Sequence, residues 1–355
     1  MSKHDVTQEL IEQVNCARTD GSTLEIVGGG SKRFIGREAA ADARIDAGRH
    51  RGIVSYEPVE LVLTARAGTP LQEIEDTLAQ QGQMLAFDPP HFAGGATLGG
   101  TLACNQSGPA RPWNGSVRDA VLGIRLVNGR GEHLRFGGQV MKNVAGYDVS
   151  RAQAGALGSL GIITEISLKV MPRPAASMTL VKEMDAARAI VEMNTLAGRP
   201  RPLAGACWQD GQLYLRLAGV QAAVAGTASR WGGEVLQHES NFWRDLRDQR
   251  QPFFVDGEPL WRFSVNPAAP HWRDGADWRF DWGGAQRWLR GAFQRAELER
   301  EAGRAGGQVT LFRGGDRAGE VFSTQSAALQ TLHRRLKEAF DPMRIFNPGR
   351  LYSWM

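Results

Sequence analysis

The stretch from Gly94 to Asp119 reads GGATLGGTLACNQSGPARPWNGSVRD, and its composition sets it apart from the rest of the chain. It holds six glycines and almost no bulky apolar side chain, so no ordinary helix or strand is expected over it. Glycine permits φ > 0 and lets the backbone approach a ligand closely, but ordering it costs conformational entropy. A fold that orders such a stretch gains most if the backbone N–H groups bind an anion.

A second glycine-rich loop, Gly28-Gly29-Gly30-Ser31-Lys32, lies upstream and directly follows Leu24–Val27, which is predicted to be a strand. Two such loops can hold an elongated ligand along its length, which favours a dinucleotide. Neither common phosphate motif fits, because a Rossmann fingerprint needs glycine where this chain has Arg33 and no Walker A loop is present. Taken alone, the upstream loop is equally compatible with a surface turn.

Composition excludes several classes of protein. The net charge of +4, with acids and bases interspersed, is too mild to indicate a nucleic-acid-binding protein. Cys16, Cys104 and Cys207 form no C-x-x-C motif, so the sequence predicts no iron–sulfur cluster of its own. The N-terminus is polar, so we expect no signal peptide. The sequence has no long apolar run, so we expect no membrane span. We therefore expect a cytoplasmic globular protein of two domains.

In the first half, hydrophobic periodicity predicts a helix over 5–17, strands over 53–56 and 61–65, a hairpin over 121–136 and a strand over 162–171. A further helix is predicted to begin at Thr69, with Thr69 as N-cap, Pro70 at the first position and Gln72 closing a capping box. The apolar stripe of that helix consists of Leu71, Ile74 and Leu78.

The composition changes after Pro172 and Pro174, and nine of the ten tryptophans lie beyond residue 200. Strands are predicted over 177–183, 203–209, 212–217, 259–265, 277–283 and 308–313, and helices over 185–197, 220–231, 292–303 and 323–340. Strands and hairpins covered by helices indicate an α+β fold with an antiparallel sheet. The predicted domains are residues 1–174, joined by a tail at 340–355 that docks on them, and residues 175–339.

Several motifs in order resemble a known family. They are the loop at 28–31, Ala96–Gly100, Gly115–Asp119, Lys142–Asp148, Gly161–Glu165 and Asn347-Pro348-Gly349. Together they resemble the FAD-binding proteins of the vanillyl-alcohol oxidase/p-cresol methylhydroxylase (PCMH) type. Within that group the chain is most similar to the smaller of the FAD-binding subunits found in bacterial glycolate oxidases. The resemblance implies a two-lobed FAD-binding domain and a cap domain over the isoalloxazine ring.

The resemblance also implies which residues bind FAD. The pyrophosphate would lie between the two glycine loops, and Gly161–Ile163 would lie near the ribityl or adenine end. The implied cofactor-binding residues are Gly28, Gly29, Gly30, Ser31, Lys32, Thr97, Gly99, Gly100, Thr101, Ala103, Asn105, Ser107, Gly108, Gly161, Ile162, Ile163 and Asn347. Two alternatives stay open: Lys32 neutralises a phosphate or is a solvated loop lysine, and Asn347 contacts the flavin or caps the tail turn.

Two departures from the family matter. Some relatives carry a histidine beside the first loop that bonds covalently to the flavin, but residues 28–34 contain neither His nor Cys, so the FAD is expected to be non-covalent. Related 2-hydroxy-acid dehydrogenases carry an H-x-x-G-D-G-N-x-H-like segment that supplies metal ligands and a base. This chain lacks that segment, and we therefore predict no metal site.

An arginine is the natural partner of a 2-hydroxy-acid carboxylate. Arg262 is the candidate catalytic residue, with Arg244 and Arg247 as further candidates; the alternative for each is an ordinary surface or salt-bridge residue. His91 and His271 are candidate bases, because imidazole titrates near neutral pH, and the alternative for each is a structural role.

The favoured function is an FAD-binding subunit of a glycolate oxidase complex. Its partners would be a larger flavoprotein subunit and an iron–sulfur subunit, with glycolate or another small 2-hydroxy acid as substrate and no nucleic acid. The missing metal and base segment favours an electron relay in this chain. The alternatives are a self-sufficient FAD-dependent 2-hydroxy-acid dehydrogenase and a non-catalytic assembly subunit. The expected location is cytoplasmic, with peripheral attachment to the inner membrane through the partners.

Overall fold

The first half of the chain alternates short helices with the strands of two sheets. The computed structural model describes residues 5–92, 94–138, 148–199, 202–255 and 257–355. Its helices up to Pro172 are α1 (Thr7–Asp20), α2 (Leu71–Ala79), α3 (Leu98–Cys104), α4 (Arg111–Asn114), α5 (Val117–Ala120) and α6 (Val149–Ala152). The strands are β1 (Leu24–Val27), β2 (Ala43–Asp46), β3 (Ile53–Glu57), β4 (Val62–Arg66), β5 (Gln83–Leu85), β6 (Val121–Val127), β7 (His133–Gly137) and β8 (Ile162–Pro172).

The second half builds one large sheet and the helices that cover it. The strands are β9 (Ala176–Glu183), β10 (Leu203–Gln209), β11 (Gln212–Gly219), β12 (Glu234–Val235), β13 (Leu260–Ser264), β14 (Trp278–Asp281), β15 (Gln286–Arg290) and β16 (Gln308–Arg313). The helices are α7 (Ala186–Ala197), α8 (Gln221–Trp231), α9 (Glu239–Arg247), α10 (Pro252–Val255), α11 (Arg295–Arg304) and α12 (Ala327–Phe340).

A small parallel sheet carries the first glycine loop. β1 pairs with β2 in register from Leu24 opposite Ala43, and the tail adds a parallel bridge between Leu24 and Phe346. Val14 of α1, Ile45 of β2 and Phe346 are fully buried in one apolar cluster on this sheet. The tail and helix α1 therefore both help to hold β1 and the loop that follows it.

The middle sheet has the order β3-β4-β8-β6-β7, and β5 also pairs with β8. These pairings are antiparallel, as the predicted strands and hairpin require. Leu71, Ile74 and Leu78 of α2 are fully buried, so the predicted apolar stripe is confirmed. The predicted capping box is wrong: Pro70 takes the N-cap position, and the Thr69 hydroxyl instead donates to the Arg66 carbonyl at 2.7 Å.

The large sheet has the order β12-β9-β11-β10-β14-β15-β13-β16, and its neighbouring strands are antiparallel. The predicted α+β fold is confirmed by this sheet. Strand β15 and helix α9 were not predicted. In β15, the charged and amide residues Gln286 and Arg287 are buried, which gives the segment no polar–apolar alternation.

The Gly94–Asp119 stretch contains short helices that its composition did not predict. In α3, the Thr97 side chain accepts from the backbone N–H of Gly100 at 3.2 Å and caps the helix. Gly99 N donates to the Ala67 carbonyl at 2.7 Å, which holds the helix against β4. In α5, Ser116 and Asp119 form a capping box. The helices in this segment are therefore stabilised by capping and close packing, not by the helix propensity of their residues.

A buried ion pair ties the tail to the first half. Lys337 Nζ donates to Asp341 Oδ2 at 2.7 Å, to the Ser159 carbonyl at 2.7 Å and to the Phe346 carbonyl at 2.8 Å. The Asp341 carboxylate in turn accepts from the N–H groups of Ile345 and Phe346. The ammonium and the carboxylate of the pair both have hydrogen-bond partners. These bonds attach helix α12 to the tail and to the segment before β8.

Candidate functional site

The two glycine-rich loops contact each other. A Cβ on Gly28 would lie 2.8 Å from Thr97 Oγ1, and a Cβ on Gly29 would lie 1.4 Å from the Gly95 carbonyl oxygen. Any side chain at Gly29 would force the loops apart, because no real Cβ atom approaches a backbone oxygen so closely. Strand β1 and the N-terminus of α3 thus bring together two segments that are distant in sequence.

A cavity opens between these loops, with a volume of about 1050 Å³ that includes its open mouth. Most of the predicted cofactor-binding residues line it: Gly28, Gly29, Gly30, Ser31, Lys32, Thr97, Gly99, Gly100, Ala103, Gly161, Ile163 and Asn347. The size and the backbone-rich lining suit a nucleotide cofactor better than a small ion. We call it the first cavity.

The other predicted cofactor-binding residues lie elsewhere. Ile162 is buried in the apolar cluster beneath β1, and Gly108 accepts a hydrogen bond at its carbonyl from Trp282 Nε1 at 2.9 Å. Thr101 is fully buried, and its hydroxyl, like that of Ser107, has no hydrogen-bond partner in the described residues. Asn105 lines a second cavity, and its Oδ1 atom is buried and unpartnered among the same residues.

Lys32 is a buried cation on the wall of the first cavity. Its side chain is 7% exposed, and Nζ has no hydrogen-bond partner in the described residues. Nζ lies 5.6 Å from the centroid of the Phe92 ring. Burial lowers the pKa of Lys32 to about 8, although the interactions with Cys104 and Asp248 oppose this shift. This environment is not that of a solvated loop lysine, and a buried unpaired cation suits an anionic ligand.

Asn347 lines the first cavity and links segments around it through its side-chain amide. Its Oδ1 atom accepts from the N–H of Ile26 at 2.8 Å, and its Nδ2 atom donates to the Leu157 carbonyl at 2.6 Å. Asn347 itself has φ of 41°, a left-handed conformation that asparagine tolerates. Its amide therefore ties the tail to β1 and to the loop at Leu157.

Arginines that the sequence did not single out fix the wall formed by residues 33–41. Arg37 donates to the Gly349 carbonyl at 2.7 Å and to the Gly319 carbonyl at 2.9 Å. Arg350 donates to the Arg37 carbonyl at 2.9 Å, and Arg317 donates to the Gly36 carbonyl. These contacts join the loop after β1, the tail and the loop after β16. No local pattern predicts them, because each guanidinium bonds to backbone carbonyls far away in sequence.

A second cavity of about 970 Å³, including open space, adjoins the first. The two cavities share Ile35, Cys104 and Leu157 in their linings. The second cavity is bordered by the segment after α3, the segment after α6, strand β13, helix α12 and the tail. Its polar lining residues are Asn105, Gln106, Ser159, Arg262, His333 and Tyr352.

Arg262 points to this second cavity from β13. Its Nη1 atom donates to Gln106 Oε1 at 2.8 Å, and its guanidinium carbon lies 5.3 Å from the Phe312 ring centroid. Burial, with the charge of Arg111, lowers the pKa of Arg262 to about 10. By contrast, Arg247 pairs with Asp248 at 2.9 Å, and Arg244 is exposed and donates to Asn241.

The candidate bases from the sequence lie outside both cavities. His91 Nε2 is 3.2 Å from Glu75 Oε2, and His271 Nε2 is 3.4 Å from Asp274 Oδ1. His333, which was not among the predicted bases, lines the second cavity from α12. Its position on an amphipathic helix gave no signal that it would border a site.

Metal clusters and membrane-spanning helices are both absent from the described ranges. No group of three His, Cys, Asp or Glu side chains there could hold a metal ion. None of the helices in those ranges is both long enough and apolar enough to cross a bilayer. Lys142 and Tyr147, with the rest of the 142–147 part of the family motif, lie outside the described residues.

Comparisons with known proteins show what this chain is similar to. A family described as an FAD binding domain matches residues 5–137. The chain is 46% identical over 349 residues to the glycolate oxidase subunit GlcE of Escherichia coli, covering 98% of both chains. It is 32% identical over 129 residues to the glycolate oxidase subunit GlcD of Bacillus subtilis, which covers 36% of this chain and 27% of GlcD.

Two further comparisons match part of the sequence or the fold. The chain is 32% identical over 130 residues to a D-2-hydroxyglutarate dehydrogenase of Xanthomonas citri pv. viticola, covering 36% of this chain and 27% of that one. A solved structure of alkyldihydroxyacetonephosphate synthase superposes with a TM-score of 0.63 at 18% identity, over 97% of this chain and 74% of the synthase. At that identity the likeness concerns the fold alone.

Proposed function

The chain belongs to the family of the glycolate oxidase subunit GlcE, and from that membership we propose that it is the FAD-binding subunit of a glycolate oxidase complex. Its substrate would be glycolate or another small 2-hydroxy acid. When bound, FAD supplies a two-electron acceptor, and the protein binds and orients it. We propose that the electrons then pass to an iron–sulfur subunit.

The observation that carries this proposal is the meeting of the two glycine loops over one cavity. Residues of both loops line the space, and Gly28 and Gly29 leave room where any side chain would collide with the opposite loop. The cation of Lys32 on the same wall has no hydrogen-bond partner in the described residues. Backbone N–H groups and an unpaired ammonium together suit the pyrophosphate of FAD.

The two adjoining cavities suit the length of a dinucleotide. We propose that the pyrophosphate lies between Gly28–Ser31 and Thr97–Gly100, and that the isoalloxazine ring extends past Cys104 towards the second cavity. The lining residues common to both cavities support this path. The unpartnered polar atoms of Thr101, Asn105 and Ser107 lie in the segment that would run beside the cofactor.

We also propose that the FAD is held without a covalent bond. Residues 28–34 contain no His or Cys. Burial raises the pKa of the Cys104 thiol, the cysteine that lines both cavities, so the reactive thiolate is disfavoured. After denaturation in detergent, we expect flavin fluorescence to separate from the polypeptide on a gel. Fluorescence that stays with the polypeptide would contradict this part of the proposal.

The arrangement of the three sheets supports a division of the chain into two domains. We propose that residues 1–174 with the tail 340–355 form the FAD-binding domain and that residues 175–339 form a cap or interface domain. The tail's bridge to β1 and the ion pair of Lys337 support its assignment to the first domain. The "subunit" in the names of GlcE and GlcD supports an assembly with a larger flavoprotein subunit. We propose a cytoplasmic location, with attachment to the inner membrane through partners.

A second candidate function is a self-sufficient 2-hydroxy-acid dehydrogenase. The observation that favours it is Arg262, a partly buried guanidinium that lines a cavity beside the proposed FAD site. Such a group can bind a substrate carboxylate.

The decisive experiment uses the purified full chain, reconstituted with FAD. The proposal predicts one bound FAD per chain by absorbance after gel filtration. A chain that retains no FAD would contradict it and favour an assembly subunit without cofactor. Anaerobic addition of glycolate then separates the two enzymatic roles. Bleaching in the isolated chain supports the self-sufficient dehydrogenase, whereas bleaching only after the partner subunits are added supports the relay.

A further inference from the structure

Arg262 carries a partly buried positive charge without an acidic partner among the described residues. No carboxylate in the described part of the chain forms an ion pair with it, and one hydrogen bond, to Gln106, is its polar contact there. A buried guanidinium normally pairs with an acid, because removing an unpaired ion from water is costly. The open side of Arg262 is the second cavity, so an anion that enters this cavity would supply the missing partner.

Gln106 orients Arg262 without cancelling its charge. The Gln106 side chain is 7% exposed, its Nε2 atom donates to the Cys104 carbonyl at 2.9 Å, and its Oε1 atom accepts from Arg262. The amide is therefore fixed at both ends between the second glycine-rich segment and strand β13. Because an amide is neutral, the full charge of Arg262 stays available to a ligand, whereas a glutamate at this position would neutralise it.

His333 brings an imidazole to the same cavity. The structure gives neither ring nitrogen a hydrogen bond to the described residues, and Nδ1 is buried. The ring centroid lies 5.9 Å from that of Tyr352 and 6.0 Å from that of Trp354. Burial lowers the pKa of His333, so the ring is neutral at neutral pH and able to accept a proton.

We propose that the second cavity binds a small 2-hydroxy monocarboxylate, with Arg262 binding its carboxylate, Gln106 positioning Arg262 and His333 accepting its hydroxyl proton. The proposal rests on the proposed FAD site and on the second candidate function, because it takes FAD bound in this chain as the electron acceptor beside this cavity. The hydroxyl proton goes to His333, the carbon-bound hydrogen leaves with its electron pair to FAD, and a 2-oxo acid remains. His333 would thus take the place of the base that the missing family segment supplies.

The first test measures binding of oxalate, a carboxylate that cannot lose a hydride, to the FAD-loaded chain by calorimetry. Arg262→Met removes the cation and Gln106→Glu neutralises it, so both are expected to weaken oxalate binding at least about tenfold. Gln106→Leu keeps the charge but frees the guanidinium, so its loss should be smaller. Arg244→Met, which removes an exposed arginine of the same domain, is the matched control and should bind oxalate like the wild type.

The second test measures the protons taken up when oxalate binds, from calorimetry in two buffers of different ionisation enthalpy near pH 6.5. An anion beside His333 raises the pKa of the imidazole, so the wild type should take up more protons on binding oxalate than His333→Asn does. Lys32, with a pKa of about 8, is already charged at this pH, and burial keeps the Cys104 thiol and the Tyr352 hydroxyl protonated. These groups therefore cannot supply the same signal.

The outcomes separate this inference from the proposed function. Loss of FAD from the wild-type chain would contradict the proposed function. Retained FAD with oxalate affinity that is unchanged in Arg262→Met and Gln106→Glu would overturn the carboxylate site alone. Proton uptake in His333→Asn equal to that of the wild type would overturn the role of His333. If Arg262→Met or Gln106→Glu fails to retain FAD, oxalate binding is measured on the FAD-loaded Gln106→Leu variant instead. Oxalate affinity equal to that of the wild type in this variant would overturn the role of Gln106 in positioning Arg262.

Discussion

Gly29 is the residue at which the two glycine loops come closest. Replacing it with alanine would put a Cβ atom 1.4 Å from the Gly95 carbonyl oxygen, so the loops must separate. We expect Gly29→Ala to lose most of its FAD affinity, measured by quenching of flavin fluorescence on binding. Gly226→Ala is the control, because a Cβ at that position in α8 meets nothing within 4 Å. Equal FAD affinity in both variants would contradict the proposed pyrophosphate position.

The positive charge of Lys32 leads to a prediction about FAD affinity. A charge-assisted hydrogen bond contributes about 1.5–3 kcal/mol, so Lys32→Met should weaken FAD binding by roughly ten- to a hundredfold. Lys169→Met, at an exposed position on β8, should leave the affinity unchanged. The pKa of Lys32 without ligand is about 8 and a phosphate would raise it. Wild-type affinity should therefore be full below pH 8 and fall above it, and the Lys32→Met profile should be flat over this range.

Among the helices and strands, sequence patterns correctly predicted the segments whose own residues carry a clear apolar pattern. Helix α2 carries a full apolar stripe, and β8 is a long apolar strand at the centre of its sheet, so both were predicted correctly. Helix α3 was missed because its stability comes from the Thr97 cap and from contact with Ala67, not from its residues' propensities. Strand β15 was missed because it buries Arg287, which donates to distant carbonyls such as that of Pro270.

Helix α12 depends on one buried ion pair. Lys337 is 2% exposed and Asp341 is fully buried, so Lys337→Met leaves a buried carboxylate without its counter-charge. We expect a loss of about 3–5 kcal/mol in the free energy of unfolding, measured by urea denaturation. Arg335→Met, an exposed position on the same helix, should change it by less than about 0.5 kcal/mol. A loss of similar size in both variants would argue against this role for the pair.

At the scale of the whole molecule, the cofactor and the fold class were predictable, whereas the arrangement around the second cavity was not. The FAD-binding domain family and the sheets agree with the expected PCMH-type α+β fold and with FAD as the cofactor. The hydrogen bond from Arg262 to Gln106 joins residues that are 156 positions apart, and His333 comes from yet another element. These three side chains come together only when the large sheet packs against the glycine-rich segment, so no local sequence pattern predicts the group.

Because the proposed FAD site draws on β1, α3, the tail and the loop at Leu157, binding should stabilise the whole chain. Free FAD at a hundred times its dissociation constant adds about 2.7 kcal/mol to the free energy of unfolding. We expect the melting temperature of the wild type to rise by several degrees with added FAD, and that of Gly29→Ala to stay unchanged over the same concentrations. A wild-type melting temperature that does not respond to FAD would count against the site.

The most direct measurement of the central claim is a crystal structure of the full chain with FAD. The account predicts the pyrophosphate in the first cavity, between Gly28–Ser31 and Thr97–Gly100 and in contact with both, accepting hydrogen bonds from backbone N–H groups of Gly28–Ser31, with Lys32 nearby. A pyrophosphate bound elsewhere, or held by one loop while the other stays out of contact, would contradict it.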